Sequence, residues 1–248
     1  MLKTPRFLLA ASLVLALAFT FSCSGDDGDS PPATLTSSSS DASQPSSSSV
    51  IPSVTHCSHF VEGTEIEHYG MFKKVFCDKR DGHEYVYVEI GTQTWMAENL
   101  NYSAASSKCT YCDTYGRLYT PAAALEVCPE GWHLPSYEEW LELIEYAGDI
   151  DPAIKLRARS RWSEYFNGLS TDDFGFSALP AGYISSDGQI NGLGSVAYWL
   201  SSTLLPGVNG TASNGVQDVR INGADLQHGL PEFGTDWTMY ASVRCVKD

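Results

Sequence analysis

Seven cysteines carry the most chemistry in this chain: Cys23, Cys57, Cys77, Cys109, Cys112, Cys128 and Cys245. Cys109-Thr110-Tyr111-Cys112 forms a C-x-x-C. Such a pair can be a redox couple within a βαβ unit, half of a zinc site, or a local structural bridge. No βαβ pattern surrounds it and no second pair has suitable spacing, so a structural bridge is expected. The remaining candidates point away from catalysis. His133, between Trp132 and Leu134, reads as a core or turn histidine rather than a base. Glu138, Glu139, Glu142 and Glu145 share one helical stretch, mostly on its wet face. Asp172-Asp173 reads as a turn rather than an ion site. The stretch 187–192 lacks the alternating oxygen ligands of a calcium loop. No G-x-S-x-G elbow and no H-E-x-x-H occurs. No catalytic residue, metal ligand or cofactor is therefore expected.

The elements that must position these residues are short. Val86, Val88 and Ile90 alternate with Tyr85, Tyr87 and Glu89, which predicts a half-exposed strand over 83–90. A second strand is expected over 93–100. Thr120-Pro121 opens a short Ala-rich helix over 121–127. Ser136 with Glu139 forms a capping box before the apolar stripe Trp140, Leu141, Leu143, Ile144 and Ala147, so a helix is expected over 137–147, stopped by Gly148. A further short helix is expected over 152–159. Short strands follow at 174–178, 196–202, 216–221 and 240–246, with Gly, Asn, Asp and Pro in the gaps. Helices early and strands late give an α+β layout.

The chain has 248 residues and 15 basic against 30 acidic side chains, a formal net charge of −15. That balance offers no basic stripe to neutralise phosphates, so nucleic acid is excluded as a partner. It equally excludes direct adsorption to anionic lipid. Lys3 and Arg6 precede an apolar stretch at 7–19, too short to span a bilayer but suited to a signal peptide over 1–22. Cys23 follows Thr20-Phe21-Ser22 in the manner of a bacterial lipobox, although Ala16-Leu17-Ala18 offers a competing cut for ordinary secretion. Lipidating Cys23 leaves six cysteines, an even number with 15 possible connectivities. Residues 24–55 hold 12 Ser and no aromatic residue. Such a stretch cannot offset its ordering entropy, so 23–55 is expected to be a lipidated Cys with a flexible tether. The acidic run at 25–29 resembles the surface-export tags of some Gram-negative lipoproteins. The folded domain then occupies 56–248.

A set of longer motifs carries a resemblance: DKRDG at 78–82, IGTQTWMAENLNY at 90–102, YGRLY at 115–119, CPEGWHLPS at 128–136, FGFSALPAGY at 174–183, YWLSST at 198–203 and SVRCVKD at 242–248. In this order they resemble the Fibrobacter succinogenes major paralogous domain, with a family core at about 75–248. The segment between Leu204 and Gly234 departs from the family's Tyr- and Asn-rich pattern. The family is similar to C-type lectin-like domains and, more distantly, to formylglycine-generating enzymes, whose helix opening RLPTEAEWE is similar to residues 132–140.

The resemblance implies a C-type lectin-like fold: two short helices packed on short antiparallel strands with long C-terminal loops. It implies a long bridge from Cys128 to Cys245, which leaves Cys57 for Cys77 beside the local Cys109–Cys112 pair. It also implies a binding surface in the loop region at about 180–238. Tyr183, Asp187, Asn191, Asp225 and Trp237 are the candidates there, aromatics stacking on sugar rings and Asn or Asp taking hydroxyls. Trp199, flanked by Tyr198 and Leu200, is assigned to the core. The calcium-binding triplets of sugar-binding lectins (E-P-N, Q-P-D, W-N-D) are absent, so calcium-independent binding is expected. The expected function is a non-catalytic cell-envelope lipoprotein, anchored at the outer membrane and surface-exposed. Its partner would be a polysaccharide or a surface protein. An enzyme on a formylglycine-generating-like scaffold and a ligand-free surface coat are the alternatives.

Overall fold

The structure is a computed structural model. It describes Cys57 and residues 61–68, 70–164, 168–205, 215–222, 225–228 and 235–248. The chain divides into Met1–Val50 and Ile51–Asp248. The expected signal peptide, Cys23 and the expected tether lie outside the described residues.

In chain order the elements are β1 (Glu65–His68), β2 (Met71–Asp78), β3 (His83–Ile90), β4 (Gln93–Met96), β5 (Ser107–Lys108), α1 (Cys112–Tyr115), β6 (Leu118–Tyr119), α2 (Pro121–Ala124), β7 (Trp132–His133), α3 (Tyr137–Ala147), α4 (Pro152–Leu156), β8 (Tyr183–Ile184), β9 (Ile190–Asn191), β10 (Val196–Leu204), β11 (Gly215–Asn222), β12 (Asp225–His228), β13 (Thr235–Asp236), β14 (Ala241–Ser242) and β15 (Val246–Lys247). One sheet runs β1-β2-β3-β4-β15-β7 and another β12-β11-β10-β14-β6-β5, with β13 also on β11 and β8-β9 a separate hairpin. The fold is mixed α+β, mostly sheet with short helices.

The strand at 83–90 is not half-exposed. Val86, Val88 and Ile90 pack with Trp95, Trp140, Phe176 and Trp199 on one face. Tyr85 and Tyr87 pack with Phe76 and Trp132 on the other, and both tyrosines are buried. β10 repeats this division, sending Ala197 and Trp199 to the first cluster and Tyr198 and Leu200 to the second. The tryptophans meet closely, with ring centroids 4.6 Å apart for Trp95–Trp140 and 5.5 Å for Trp140–Trp199. The assignment of Trp199 to the core holds.

The strongest local signal forms as expected. Glu139 N donates to Ser136 Oγ at 3.2 Å and Ser136 N donates to Glu139 Oε2 at 2.7 Å. α3 buries Trp140, Leu143 and Ala147 and stops at Gly148, whose φ is +84°. Other elements are shorter than expected. The second strand stops at Met96 because Val86 N takes the Glu98 carboxylate (3.1 Å) in place of a ladder carbonyl. α2 ends at Ala124 and α4 at Leu156. Residues 174–178 form no strand: Gly175 (φ +69°) and Ser177 (φ +53°) bend the chain, and one bridge, Arg157 with Ala178, remains. The stretch 240–246 is two strands, β14 in one sheet and β15 in the other, with Val243, Arg244 and Cys245 crossing between them. Within the loop-rich region at about 180–238, the strands expected at 196–202 and 216–221 form as the nine-residue β10 and the eight-residue β11.

Three disulfides join Cys57 to Cys77, Cys109 to Cys112 and Cys128 to Cys245. These are the pairs expected above. The last spans 117 residues and ties the chain after α2 to the crossing segment. In the chain-entropy account such a loop is worth about 4–5 kcal/mol. No helix among the described residues is long and apolar enough to cross a membrane.

Candidate functional site

A cavity of about 190 Å³ opens beside the crossing segment. His68 at the end of β1, the irregular stretch after β4 (Glu98, Asn99, Asn101), α1, Arg161 and Ser177 line it. The stretch after β4 is irregular because its polar side chains replace main-chain partners, as Glu98 does for Val86.

Beneath the lining residues Asn99 and Ser177 lies a floor, a buried polar network. Lys73, the inward residue of β2, is 1% exposed, and Asp172 and Ser177 are 3% exposed. Lys73 Nζ donates to Ser177 Oγ at 2.8 Å. Ser177 donates from Oγ to Asp172 Oδ2 at 2.6 Å and from its amide to Asp172 Oδ1 at 2.7 Å. Asp172 thereby holds Ser177 at its left-handed φ, which a non-glycine residue adopts only when its surroundings impose it. Burial pulls the Lys73 ammonium down to about 8, with Asp172 opposing.

Arg244 forms the second half of the floor. It is fully buried and donates from Nη2 to Asn99 Oδ1 (2.9 Å) and to the Ser177 carbonyl (3.3 Å), and from Nη1 to the Phe176 carbonyl. Burial lowers it to about 9, which leaves it charged at neutral pH. Asn99 also accepts from Trp199 Nε1 (2.9 Å) and donates to the Tyr115 carbonyl (2.9 Å), so it joins the core to α1. His68 stands 3.9 Å from Glu98. Burial, and next the Lys73 charge, lower the His68 imidazole, which favours its neutral form.

Two properties define what the cavity can hold. Charges of both signs surround it: Arg161, Glu98 and Asp113 in its lining, with Lys73, Arg244 and Asp172 in the network beneath. And Asn101, one of the lining residues, has a buried Oδ1 with no hydrogen-bond partner among the described residues. At about 190 Å³ the space is smaller than the roughly 300–1,000 Å³ of sites for drug-sized ligands. Among the described residues no three His, Cys, Asp or Glu side chains group to hold a metal ion.

The candidates drawn from the sequence lie elsewhere. Tyr183 and Asn191 are opposite one another in the β8-β9 hairpin. Asp187 accepts from Ser185 Oγ (2.5 Å) and Gln189 N (3.2 Å), and the Ser185 bond holds its carboxyl below the usual range. Asn191 Nδ2 donates to Ser185 Oγ (2.9 Å) and the Gln189 carbonyl (3.1 Å). Their polar atoms thus bond within the turn. The Tyr183 ring packs against Tyr198 with centroids 5.0 Å apart. Asp225 pairs with Asn222 at one end of β11, whereas Asp236, next to Trp237, pairs with Gly215 at the other. Strand rise separates those ends by roughly 20 Å. Trp237 is 37% exposed. The structure does not gather the five into one site, and none lines the cavity. His133, expected in a turn or core, is a half-exposed link with Asp248 at 2.7 Å and Glu139 at 2.8 Å.

Sequence reasoning weighed Cys112 as part of a bridge and Asp172 as part of a turn, and passed over the other residues of the cavity and its floor. Their signal is polar residues set inside apolar runs: Lys73 between Phe72 and Val75, Glu98 and Asn99 after Trp95-Met96-Ala97, Ser177 between Phe176 and Ala178.

Two sheets with aromatic clusters on both faces, a long disulfide and a polar cavity define a disulfide-bonded α+β domain. The sequence model of the Fibrobacter succinogenes major domain matches residues 88–247, well over half of the chain, and the chain belongs to that family. No curated protein and no solved structure matches it. His68, Lys73 and His83 precede the matched segment, so this chain completes its cavity with strands outside it.

Proposed function

We propose that the protein is a non-catalytic binding module of the cell envelope that takes one uncharged sugar residue in the cavity. The carrying observation is a small cavity whose lining mixes amide, carboxylate, imidazole, guanidinium and hydroxyl groups, with Asn101, whose side-chain oxygen has no protein partner, among them. Sugar hydroxyls both donate and accept, so they suit such a mixed lining, and a neutral ligand upsets no charge there. In this reading the scaffold is C-type lectin-like, which the two-sheet core and the Cys128–Cys245 bridge support. Cys23 carries the lipid anchor, residues 24–55 hold the domain off the outer membrane, and the partner is a polysaccharide or glycosylated surface protein.

One observation favours an enzyme: Lys73, Ser177 and Asp172 form a hydrogen-bonded nucleophile-like set. Against it, the Ser177 amide, the nearest donor for a developing oxyanion, is already bound to Asp172.

Calorimetric titration of the purified protein with neutral and acidic oligosaccharides, with and without chelator, tests the proposal. A neutral glycan should bind equally in chelator, and Asn101→Ala should weaken it about tenfold, the worth of one hydrogen bond. Binding abolished by chelator, or no glycan bound at all, sinks it.

A further inference from the structure

Cys109–Cys112 differs from the other two disulfides in place and in purpose. Cys245 is fully buried and Cys57, Cys77 and Cys128 are half-buried, whereas Cys109 is exposed. The bridge spans a separation of only 3 residues, against 117 for Cys128–Cys245, so it removes little chain entropy from the unfolded state. Its position is more telling. Cys112 and the four residues after it, 113–116, form one wall of the cavity. α1, which carries that wall, buries no side chain and has no side-chain N-cap. Its other fastenings are few. Asn99 Nδ2 donates to the Tyr115 carbonyl, Arg117 N donates to the Leu100 carbonyl at 3.0 Å, and the Tyr115 ring leans on Leu118, Ala181 and Ile184. The fit against the floor is close: a Cβ on Gly116 would fall 2.7 Å from the Asn99 Cβ. A small displacement of α1 therefore changes the cavity and the Asn99 contact together.

We propose that Cys109–Cys112 is a thiol–disulfide exchange site that sets the position of this cavity wall, its partner being an external dithiol such as a reduced C-x-x-C oxidoreductase. The pair lacks the βαβ frame of an exchange catalyst, so it is the substrate of exchange. A thiolate of the dithiol attacks the Sγ of Cys109, the exposed residue of the pair. The Cys109–Cys112 bond breaks and Cys112 leaves as thiolate. The second thiolate of the dithiol then attacks the mixed disulfide, releasing Cys109 as thiolate and the partner as its disulfide. Tyr111, 59% exposed between the two cysteines, gives a partner an aromatic surface beside the bond.

The test is stepwise reduction of the full-length protein with dithiothreitol at graded reduced-to-oxidised ratios, with maleimide trapping, peptide mapping and amide hydrogen exchange. Cys109 and Cys112 should be labelled at ratios that leave the four cysteines of the other two bridges oxidised, and amides 113–117 should exchange at least tenfold faster in that state. Simultaneous reduction of all three bridges, earlier reduction of another bridge, or unchanged exchange at 113–117 overturns the proposal. A second arm rests on the sugar-binding reading: Cys109→Ser with Cys112→Ser should lower glycan affinity at least fivefold, and equal affinity would overturn control of the cavity. If the oxidised protein binds no glycan, that reading fails while thiol mapping and exchange still decide this one.

Discussion

The cavity floor and the β8-β9 hairpin are both polar, both built at turns, and both crowded with Ser, Asp and Asn. They differ in how far each group reaches for its partner. Asp187, Ser185, Gln189 and Asn191 satisfy one another within six residues, at exposed or half-exposed positions. Lys73 reaches Ser177 across 104 residues and Arg244 reaches Asn99 across 145, all of them buried. A local polar cluster shapes a turn and stays wet, so losing a member costs little. A long-range buried cluster holds separate parts of the chain in one geometry, and losing a member strands charge in a low dielectric. Binding candidates chosen for Gly, Asn and Asp content select the first kind, whereas the cavity is made of the second.

The sharpest way to break this contrast is Arg244→Met. It strands the Phe176 and Ser177 carbonyls and leaves Asn99 Oδ1 with only its bond from Trp199 Nε1, and should cost about 3–5 kcal/mol in urea unfolding. A loss under 1 kcal/mol would put the floor in the same class as the hairpin.

Next comes Lys73. In the folded state its pKa is about 8, against 10.5 for an ordinary lysine. Between those values the unfolded chain binds more protons, so stability rises with pH across that window. The rise should be on the order of 2–3 kcal/mol. Lys73→Met should flatten it, read as urea midpoints from pH 7 to 11.

His133 is the intermediate case, reaching six residues to Glu139 and 115 to Asp248. Burial lowers its pKa, but the two carboxylates outweigh burial and the net shift is upward. Its contribution is fully present below the unfolded value of about 6.5 and fades as pH rises through the higher folded value. Half-exposed, the link should be worth under ~1 kcal/mol. An imidazole titration by NMR that falls below 6.5 would contradict this. The smallest effect belongs to the hairpin, where Asp187→Ala should leave both the urea midpoint and cavity binding unchanged.

Legibility in the sequence follows the same divide of range. α3 could be read because Ser136, Glu139 and its apolar stripe all lie within one helix. The strand 83–90 could be read from its alternation, yet not its second buried face, since Phe76 and Trp132 come from elsewhere in the chain. The bend at 174–178 was hidden because Asp172 fastens Ser177 through side-chain bonds that no period records. β1 and β2 were passed over because Lys73 and Lys74 interrupt the apolar pattern. The cavity was unreadable for the same reason, assembled from β1, the stretch after β4, α1 and residue 177.

The crossing of residues 241–247 from one sheet to the other also orders events during synthesis. β14 lies between β10 and β6, and β15 lies between β4 and β7. Until those two strands leave the ribosome, each sheet is split into two unpaired parts, and Cys128 has no Cys245 to meet. At about 5–20 residues per second, β4 waits roughly 10–30 s for its neighbour. During that interval the nascent chain carries open strand edges, which residues 241–247 close in both sheets at once.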